Sequence, residues 1–224
     1  NVVDDDERRA TVEAYEFMLR TRHSMHYRRN ALHDTLEYAL QLEVAEDLGY
    51  GTKAELRSVE VFMREYYLHA RAIHRLHQRL TNHFRERLES DTVPPDGGER
   101  FGESFRLHGD KLSLEGTVLR FTNARSVFEA FTYAAEMDAE PDSRLRGAIE
   151  RSVDLFTPEM IANEDLAALF RRIVRSKRVA RTLSEMNDLG ILGRYVPEFG
   201  DLVAFFQHNV YHYFTADEHT LVAI

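Results

Sequence analysis

The sequence predicts a mainly α protein, a helical bundle with one very long helix and a small β-meander near residues 104-121. Apolar residues recur at three- and four-residue steps through most of the chain, as they do in amphipathic helices. The uninterrupted helical pattern from about residue 52 to residue 88 is long for a globular domain. Short segments that alternate in polarity around Gly109-Asp110 indicate strands joined by a tight turn.

The first two helices are predicted at about residues 6–27 and 35–48. The first places Val12, Tyr15, Leu19 and Met25 at mixed three- and four-residue steps among charged residues. The second ends at Gly49-Tyr50-Gly51, since glycine adopts the left-handed C-terminal conformation at little cost. We expect each to bury one face.

The longest helix is predicted to begin at a capping box, in which Thr52 and Glu55 each satisfy a free backbone N–H of the other's turn. Its apolar stripe consists of Val59, Phe62, Tyr66, Ile73, Leu76, Leu80 and Phe84. A helix of this length is expected to act as a strut whose apolar side packs on other helices.

A loop is predicted over residues 91–103, which contain Pro94-Pro95-Asp96-Gly97-Gly98. Strands are then predicted at Phe105–His108, Lys111–Leu114 and Thr117–Phe121. Two or three short strands are marginal alone, so they should pack on helices.

Helices return after the meander, at about residues 124–138, 142–154, 159–173 and 177–189. Residues 194–206 are apolar and aromatic but are interrupted by Pro197 and Gly200, which is typical of a turn and a short helix pressed into a core.

Composition excludes several kinds of site and partner. The absence of cysteine excludes disulfides, thiolate metal sites and cysteine nucleophiles. A formal charge of −9 argues against a general nucleic-acid binder. No stretch approaches the roughly 18 apolar residues that span a bilayer, and the first residues do not have the basic, apolar, small-residue pattern expected of a signal peptide. We therefore expect a soluble, cytoplasmic protein that binds neither nucleic acid nor membrane.

One local segment is strongly basic despite this acidic balance. Between Asp165 and Glu185 there is no acid, and the segment carries Arg171, Arg172, Arg175, Lys177, Arg178 and Arg181. We expect a solvated face or one paired with acidic neighbours; a site for phosphate or an acidic partner is the alternative.

The last 20 residues hold the residues most typical of a functional site. His208 and His212 are four apart and would share a helix face, where they could bind a metal or pack as hydrogen-bonded imidazoles among aromatic rings. Thr215 and Glu218 form a second capping box, which places His219 near the start of a new helix. Taken alone, His219 is a metal ligand or an ordinary hydrogen-bonded histidine.

Ordered motifs across the chain resemble the PII-protein uridylyltransferase/uridylyl-removing enzymes. The stretch Leu192–Phe199 resembles a Leu-Gly-Arg-Tyr-x-Pro-x-Phe motif, and Gln207–Leu221 resembles the following entry to an HD hydrolase domain. Upstream, the resemblance continues through Phe17–His26, Leu42–Tyr50 and Val59–Tyr67. The sequence departs from the motif at Asn209, where the family usually has Asp, and at Phe214 and Ala216, where Tyr and Val are common.

The resemblance implies an enzyme that attaches uridylyl groups from UTP to the nitrogen-regulatory PII protein and removes them hydrolytically when glutamine is abundant. It implies Mg²⁺ or Mn²⁺ at the catalytic centres and glutamine sensing by C-terminal domains. This chain shows no Gly-Ser pair of the kind that the transferase motif requires. We therefore expect residues 1-90 to be a connector that follows a nucleotidyltransferase domain, 91-103 a loop, 104-206 a meander with a bundle, and 207-224 the start of a truncated HD domain.

The same resemblance implies a role for His219 as the first HD-type metal ligand, with the remaining ligands outside the chain. No complete catalytic set is expected here, the cofactor-binding residues are unknown, and His208 and His212 are candidates for the surrounding pocket. The chain alone should be inactive, as a scaffold between two active sites. Three alternatives stay open: a connector of the related adenylyltransferases that act on glutamine synthetase, a non-catalytic helical interaction module, and part of a free-standing HD-type metal-dependent phosphohydrolase.

Overall fold

The computed structural model describes residues 3, 5–51, 56–89, 98–102, 104–116, 120–206 and 215–224. The chain divides into two compact units. Unit 1 comprises residues 1–80 and 202–219, and unit 2 comprises residues 81–201 and 220–224. The mainly α prediction is confirmed, with one small sheet in the described part of unit 2.

Unit 1 is built from the first helices of the chain. They are α1 (Asp5–Arg29), α2 (Tyr38–Asp47) and α3 (Leu56–Glu89), whose residues up to Leu80 belong to this unit. At 34 residues, α3 is the long helix that the sequence predicts. The predicted capping pair Thr52 and Glu55 lies outside the described residues.

The core of unit 1 forms where α1, α2 and α3 meet. Its members are Phe17, Met25, Leu40, Val44, Ala45, Val59, Phe62, Met63 and Phe206. The buried stripe of α1 runs through Ala14, Phe17, Thr21 and Ser24, at helical spacing. Val12 and Tyr15 were predicted on the apolar face but are exposed, because each is rotated by about 100° or more from that stripe.

The apolar stripe of α3 is buried at one end only. Val59 and Phe62 are fully buried, Tyr66 is partly buried, and Phe84 is 59% exposed. The expectation that the whole stripe is covered is therefore wrong for Phe84.

Unit 2 contains all four strands of the described sheet: β1 (Glu99–Phe101), β2 (Phe105–His108), β3 (Lys111–Leu114) and β4 (Glu140–Pro141). The order is β1-β2-β3-β4, with β4 parallel to β3 and the other pairs antiparallel. The hairpin of β2 and β3 is confirmed. Two predictions are corrected. Strand β1 lies inside the predicted loop 91–103. Residues 120–121, at the end of the predicted third strand, do not belong to a β-strand, and residues 117–119 lie outside the described part.

Most helices of unit 2 are short, and they follow the β2–β3 hairpin in the chain. They are α4 (Ala124–Met137), α5 (Ser143–Glu150), α6 (Pro158–Ile161), α7 (Glu164–Val174), α8 (Val179–Asp188), α9 (Leu192–Tyr195) and α10 (Pro197–Gly200), with a 3-10 turn at Val153–Leu155. The predicted helix at 159–173 is interrupted, because the Asn163 side chain accepts the Leu166 N–H at 3.1 Å and starts a new helix there.

Helix α4 lies at the centre of the unit 2 core. Phe128 and Phe131 are fully buried, and the Phe128 ring meets that of Tyr195 edge-on at 4.7 Å. Leu166 and Ile173 of α7 and Leu112 and Leu114 of β3 belong to the same core. The apolar face of the sheet is thereby covered, as expected for so few strands.

The last helix of the described chain, α11, spans Ala216–Val222. In the described residues, no helix is both long enough and apolar enough to cross a membrane.

Candidate functional site

The candidate site is the start of α11, where the sequence placed His219. The first bond of the helix runs from the His219 N–H to the Thr215 carbonyl at 2.9 Å, so Thr215 occupies the N-cap position. The helix therefore begins where the Thr215 and Glu218 pattern predicts. The His219 side chain is exposed.

Asp217, two residues before His219, is the most deeply buried charged group of this helix. Its side chain is 1% exposed, and its Oδ2 accepts a hydrogen bond from Arg71 Nη2 at 2.9 Å. Its Oδ1 accepts the backbone N–H of Ala204 at 3.2 Å. Arg71 belongs to α3 and is itself only 17% exposed. The carboxylate is thus held by a charge-assisted bond and a backbone donor, the arrangement that a buried charge requires.

The backbone conformation at Ala204 orients the N–H that Asp217 accepts. Ala204 is buried and has φ 54°, a left-handed backbone conformation that residues other than glycine rarely adopt. The neighbouring Phe205 carbonyl accepts the Ala216 N–H at 2.9 Å. Both bonds fix residues 204–205 against the start of α11, which offsets the cost of the left-handed residue.

Helix geometry explains why Asp217 is buried and His219 is not. Residues two apart on a helix are about 200° apart around its axis, so they point to nearly opposite sides. With Asp217 directed at Arg71, the His219 ring has to face outward.

The structure does not assemble a metal site from the residues it describes. No group of three or more His, Cys, Asp or Glu side chains in the described residues could hold a metal ion. His208 and His212, the predicted pocket residues, lie outside the described part of the chain. The role of His219 as a metal ligand therefore stays a prediction.

Aromatic rings of α3 lie close to this site. Tyr67 packs on Phe206 with ring centroids 5.6 Å apart, and it contacts Tyr66 edge-on at 5.8 Å. Burial raises the pKa of Tyr67, and the nearby Glu218 carboxylate raises it further. Burial also raises the pKa of Tyr66. Both phenols are therefore neutral hydrogen-bonding groups over the physiological pH range.

The basic segment from Arg171 to Arg181 is partly neutralised by acidic neighbours. Arg172 donates to both carboxylate oxygens of Glu136 at 3.0 and 2.9 Å. Arg178 pairs with Asp138, and Arg181 with Glu140. These pairs support the expectation of a solvated face paired with acids.

Two clefts of unit 2 were not anticipated from the sequence. The larger, of about 700 Å³, lies beside the start of α4 and is lined by Phe105, Asn123, Tyr133 and Asp165 among others. The smaller, of about 450 Å³, is lined by three arginines, Arg100, Arg106 and Arg144. Arg71 was also missed, because an arginine on a long helix carries no local signal of a partner 146 residues away.

Comparison with known proteins gives consistent relatives. A family model described as GlnD PII-uridylyltransferase matches residues 1–81. The bifunctional uridylyltransferase/uridylyl-removing enzyme of Caulobacter vibrioides (strain NA1000 / CB15N) is 33% identical over 97% of this chain and 24% of its own length. That of Phenylobacterium zucineum is 32% identical over the whole of this chain and 25% of its own length. That of Azospirillum brasilense is 26% identical over 98% of this chain. No solved structure matches.

The chain spans about a quarter of the length of the curated relatives it matches. This mainly α chain is related over nearly its whole length to a segment of the bifunctional uridylyltransferase/uridylyl-removing enzymes. It belongs to the GlnD PII-uridylyltransferase family, and the family resemblance predicted from the ordered motifs is confirmed.

Proposed function

We propose that this chain is the helical connector of a bifunctional enzyme that uridylylates and deuridylylates the nitrogen-regulatory PII protein in the cytoplasm. In this proposal UTP and Mg²⁺ or Mn²⁺ serve the parent enzyme, and glutamine acts through other domains. The connector itself is a scaffold between the two centres. The support is the similarity to enzymes of that name over 97% of the chain, together with the geometry at α11.

The buried contact between Asp217 and Arg71 carries the scaffold proposal. It joins the first turn of α11 to the long helix α3 across 146 residues of sequence. Placements of the turn that separate this pair are disfavoured, since either charge alone would be costly to bury. The pair therefore fixes the direction in which the rest of the first turn, including His219, is presented.

His219 is proposed as the first metal ligand of the hydrolytic centre. Its exposed ring offers an imidazole nitrogen, the commonest biological metal ligand. A bound metal would supply an activated water for hydrolysis of the phosphodiester. A single imidazole does not hold a catalytic metal, and no group of three or more potential ligands occurs among the described residues. What this chain contributes is therefore orientation of one ligand, and we propose that the chain alone catalyses neither reaction.

Labelling of PII tests this proposal directly. The chain would be incubated with PII, labelled UTP and Mg²⁺, and separately with uridylylated PII and Mn²⁺. We expect no labelling and no release of UMP, whereas a longer protein that contains this sequence and both catalytic domains performs both reactions. Turnover by the chain alone in either reaction would refute the scaffold role. A longer protein that contains the sequence but acts on no PII would favour a non-catalytic interaction module.

A further inference from the structure

The sheet of unit 2 has one apolar face and one cationic face. Phe105, Leu112 and Leu114 lie in the core, and residues of β2 and β3 that alternate with them point the other way. Those residues include Arg106, His108 and Ser113. The smaller cleft, which we call the arginine pocket, is formed on this face by Arg100, Arg106, His108, Ser113, Glu115 and Arg144.

The strand register places two arginines directly opposite each other. Arg100 of β1 is the cross-strand partner of Arg106 of β2. Like charges in opposite positions of an antiparallel pair are destabilising. Arg144, near the start of α5, adds a third guanidinium to the pocket and donates to the Gly116 carbonyl.

Among the described residues that line the pocket, Glu115 is the only carboxylate. Arg100 donates two hydrogen bonds to the Glu115 carboxylate in a bidentate arrangement, with Nε 2.8 Å from Oε1 and Nη2 2.5 Å from Oε2. Arg106 also binds it, with Nε at 2.9 Å and Nη2 at 2.7 Å. Hydrogen bonds from Arg100 and Arg106 lower the pKa of Glu115 to about 2, so the group is an anion at neutral pH. The described lining residues therefore place three guanidinium groups against one carboxylate, an excess of two positive charges.

The hydrogen bonds to Glu115 leave much of the donor capacity of the arginines unused. A guanidinium carries five N–H donors, and Glu115 engages two on each of Arg100 and Arg106. Both bonds from Arg106 converge on one oxygen, Oε1, so its fork lacks the two-oxygen partner that suits its shape. His108 Nδ1 is buried and has no hydrogen-bond partner among the described residues. A buried polar atom without a partner is a sign of a missing water or ion.

We propose that the arginine pocket binds a phosphate-type oxyanion, with Glu115 as an internal carboxylate that occupies part of the arginine donors while the anion is absent. A tetrahedral phosphate presents two oxygens to a guanidinium fork, which Arg106 does not receive from Glu115. A doubly charged anion also matches the excess of two positive charges. The ligand is either free phosphate or the phosphate group of a nucleotide. This inference does not depend on the function proposed above.

Isothermal titration at constant ionic strength tests the site, with inorganic phosphate, pyrophosphate and a nucleoside triphosphate as separate probes. We expect saturable binding of at least one probe to the whole chain. Tighter binding of phosphate or pyrophosphate than of the nucleotide assigns the site to free phosphate, and the reverse order assigns it to a nucleotide. Saturable binding of none of the three would overturn the proposal.

Three variants connect binding to the pocket. Arg106→Gln and Arg144→Gln should each weaken binding by about tenfold or more, the equivalent of one charge-assisted hydrogen bond. Glu115→Gln removes the competing negative charge but keeps the shape, and should tighten binding several-fold. The matched control is Arg175→Gln, an exposed arginine of unit 2 outside the pocket, which should leave affinity unchanged.

Circular dichroism would show whether an arginine variant has lost its fold. If one has, Glu115→Gln still tests the proposal. An affinity that falls in folded Glu115→Gln would refute the proposal, because Glu115 would then support anion binding instead of competing with the anion for Arg100 and Arg106. Equal weakening by Arg175→Gln and Arg106→Gln would refute it as well, since that result indicates general charge attraction.

Discussion

Replacing Arg71 by methionine is the perturbation that the structure predicts most sharply. Methionine keeps much of the side-chain volume but removes the charge, so Asp217 loses its cationic partner while it keeps the hydrogen bond from the Ala204 N–H at 3.2 Å. The Asp217 side chain is 1% exposed, so water cannot replace the lost partner. Breaking a buried ion pair from one side costs about 3–5 kcal/mol. We expect a loss in the free energy of unfolding of about 3 kcal/mol, because Arg71 itself retains some contact with solvent.

The assay is urea unfolding followed by far-ultraviolet circular dichroism. The Asp217→Asn variant should cost less, about 1–2 kcal/mol, since it still accepts the Ala204 N–H and leaves a partly exposed arginine. The double variant should cost clearly less than the sum of the two single variants, as groups that interact directly do in a double-mutant cycle.

The control is Arg172→Met, which breaks a pair of the same chemistry at the surface. Arg172 and Glu136 are 51% and 33% exposed, so we expect a change within about 1 kcal/mol. The reasoning would be refuted if Arg71→Met cost no more than Arg172→Met, or if the two single effects at Arg71 and Asp217 simply added.

Three further predictions concern unit 2. Gly200→Ala should be strongly destabilising in thermal unfolding, because the new Cβ would lie 2.6 Å from the Gly193 carbonyl oxygen. The control, Gly147→Ala in α5, should be neutral or stabilising, because its Cβ would meet only the flexible end of a side chain. Equal effects of the two substitutions would contradict the geometry. Phe128→Ala should lower the free energy of unfolding by about 3–5 kcal/mol in urea, and a loss below about 1 kcal/mol would show that the site is not buried as described. Burial raises the pKa of Glu185, so the native state binds the proton more tightly than the unfolded state and stability should fall as pH rises from the usual glutamate pKa through the raised one; Glu185→Gln should abolish that fall, and an unchanged pH dependence of unfolding would contradict it.

Periodicity predicted most of the helices because their buried faces repeat at helical spacing. The bounds of α4 and α8 differ from the predicted ones by one or two residues, and the hairpin of β2 and β3 follows its alternation and its Gly109-Asp110 turn. Periodicity does not say which of two neighbouring stripes meets another helix. For that reason the prediction places Val12 and Tyr15 on an apolar face, whereas both side chains are exposed in the structure.

Long-range pairing explains what the sequence could not predict. Strand β4 consists of two residues, Glu140–Pro141, and exists only because β3 supplies a parallel partner. Strand β1 lies next to a Pro- and Gly-rich run that indicates a loop. The contact of Arg71 with Asp217 and the convergence of Arg100, Arg106 and Arg144 likewise depend on chain segments brought together by folding. By contrast, the family could be predicted, because its motifs and their order can be read from the sequence without knowing which residues are in contact.

In the proposed function, the start of α11 presents His219 to a hydrolytic centre while the connector itself takes no part in transfer. The most direct measurement is the release of UMP from uridylylated PII by a longer protein that contains this sequence and both catalytic domains, comparing His219→Ala with a control, His23→Ala, an exposed histidine of α1. The proposal predicts that His219→Ala abolishes UMP release and leaves UTP-dependent uridylylation of PII intact, while His23→Ala affects neither. Undiminished UMP release by folded His219→Ala would contradict it.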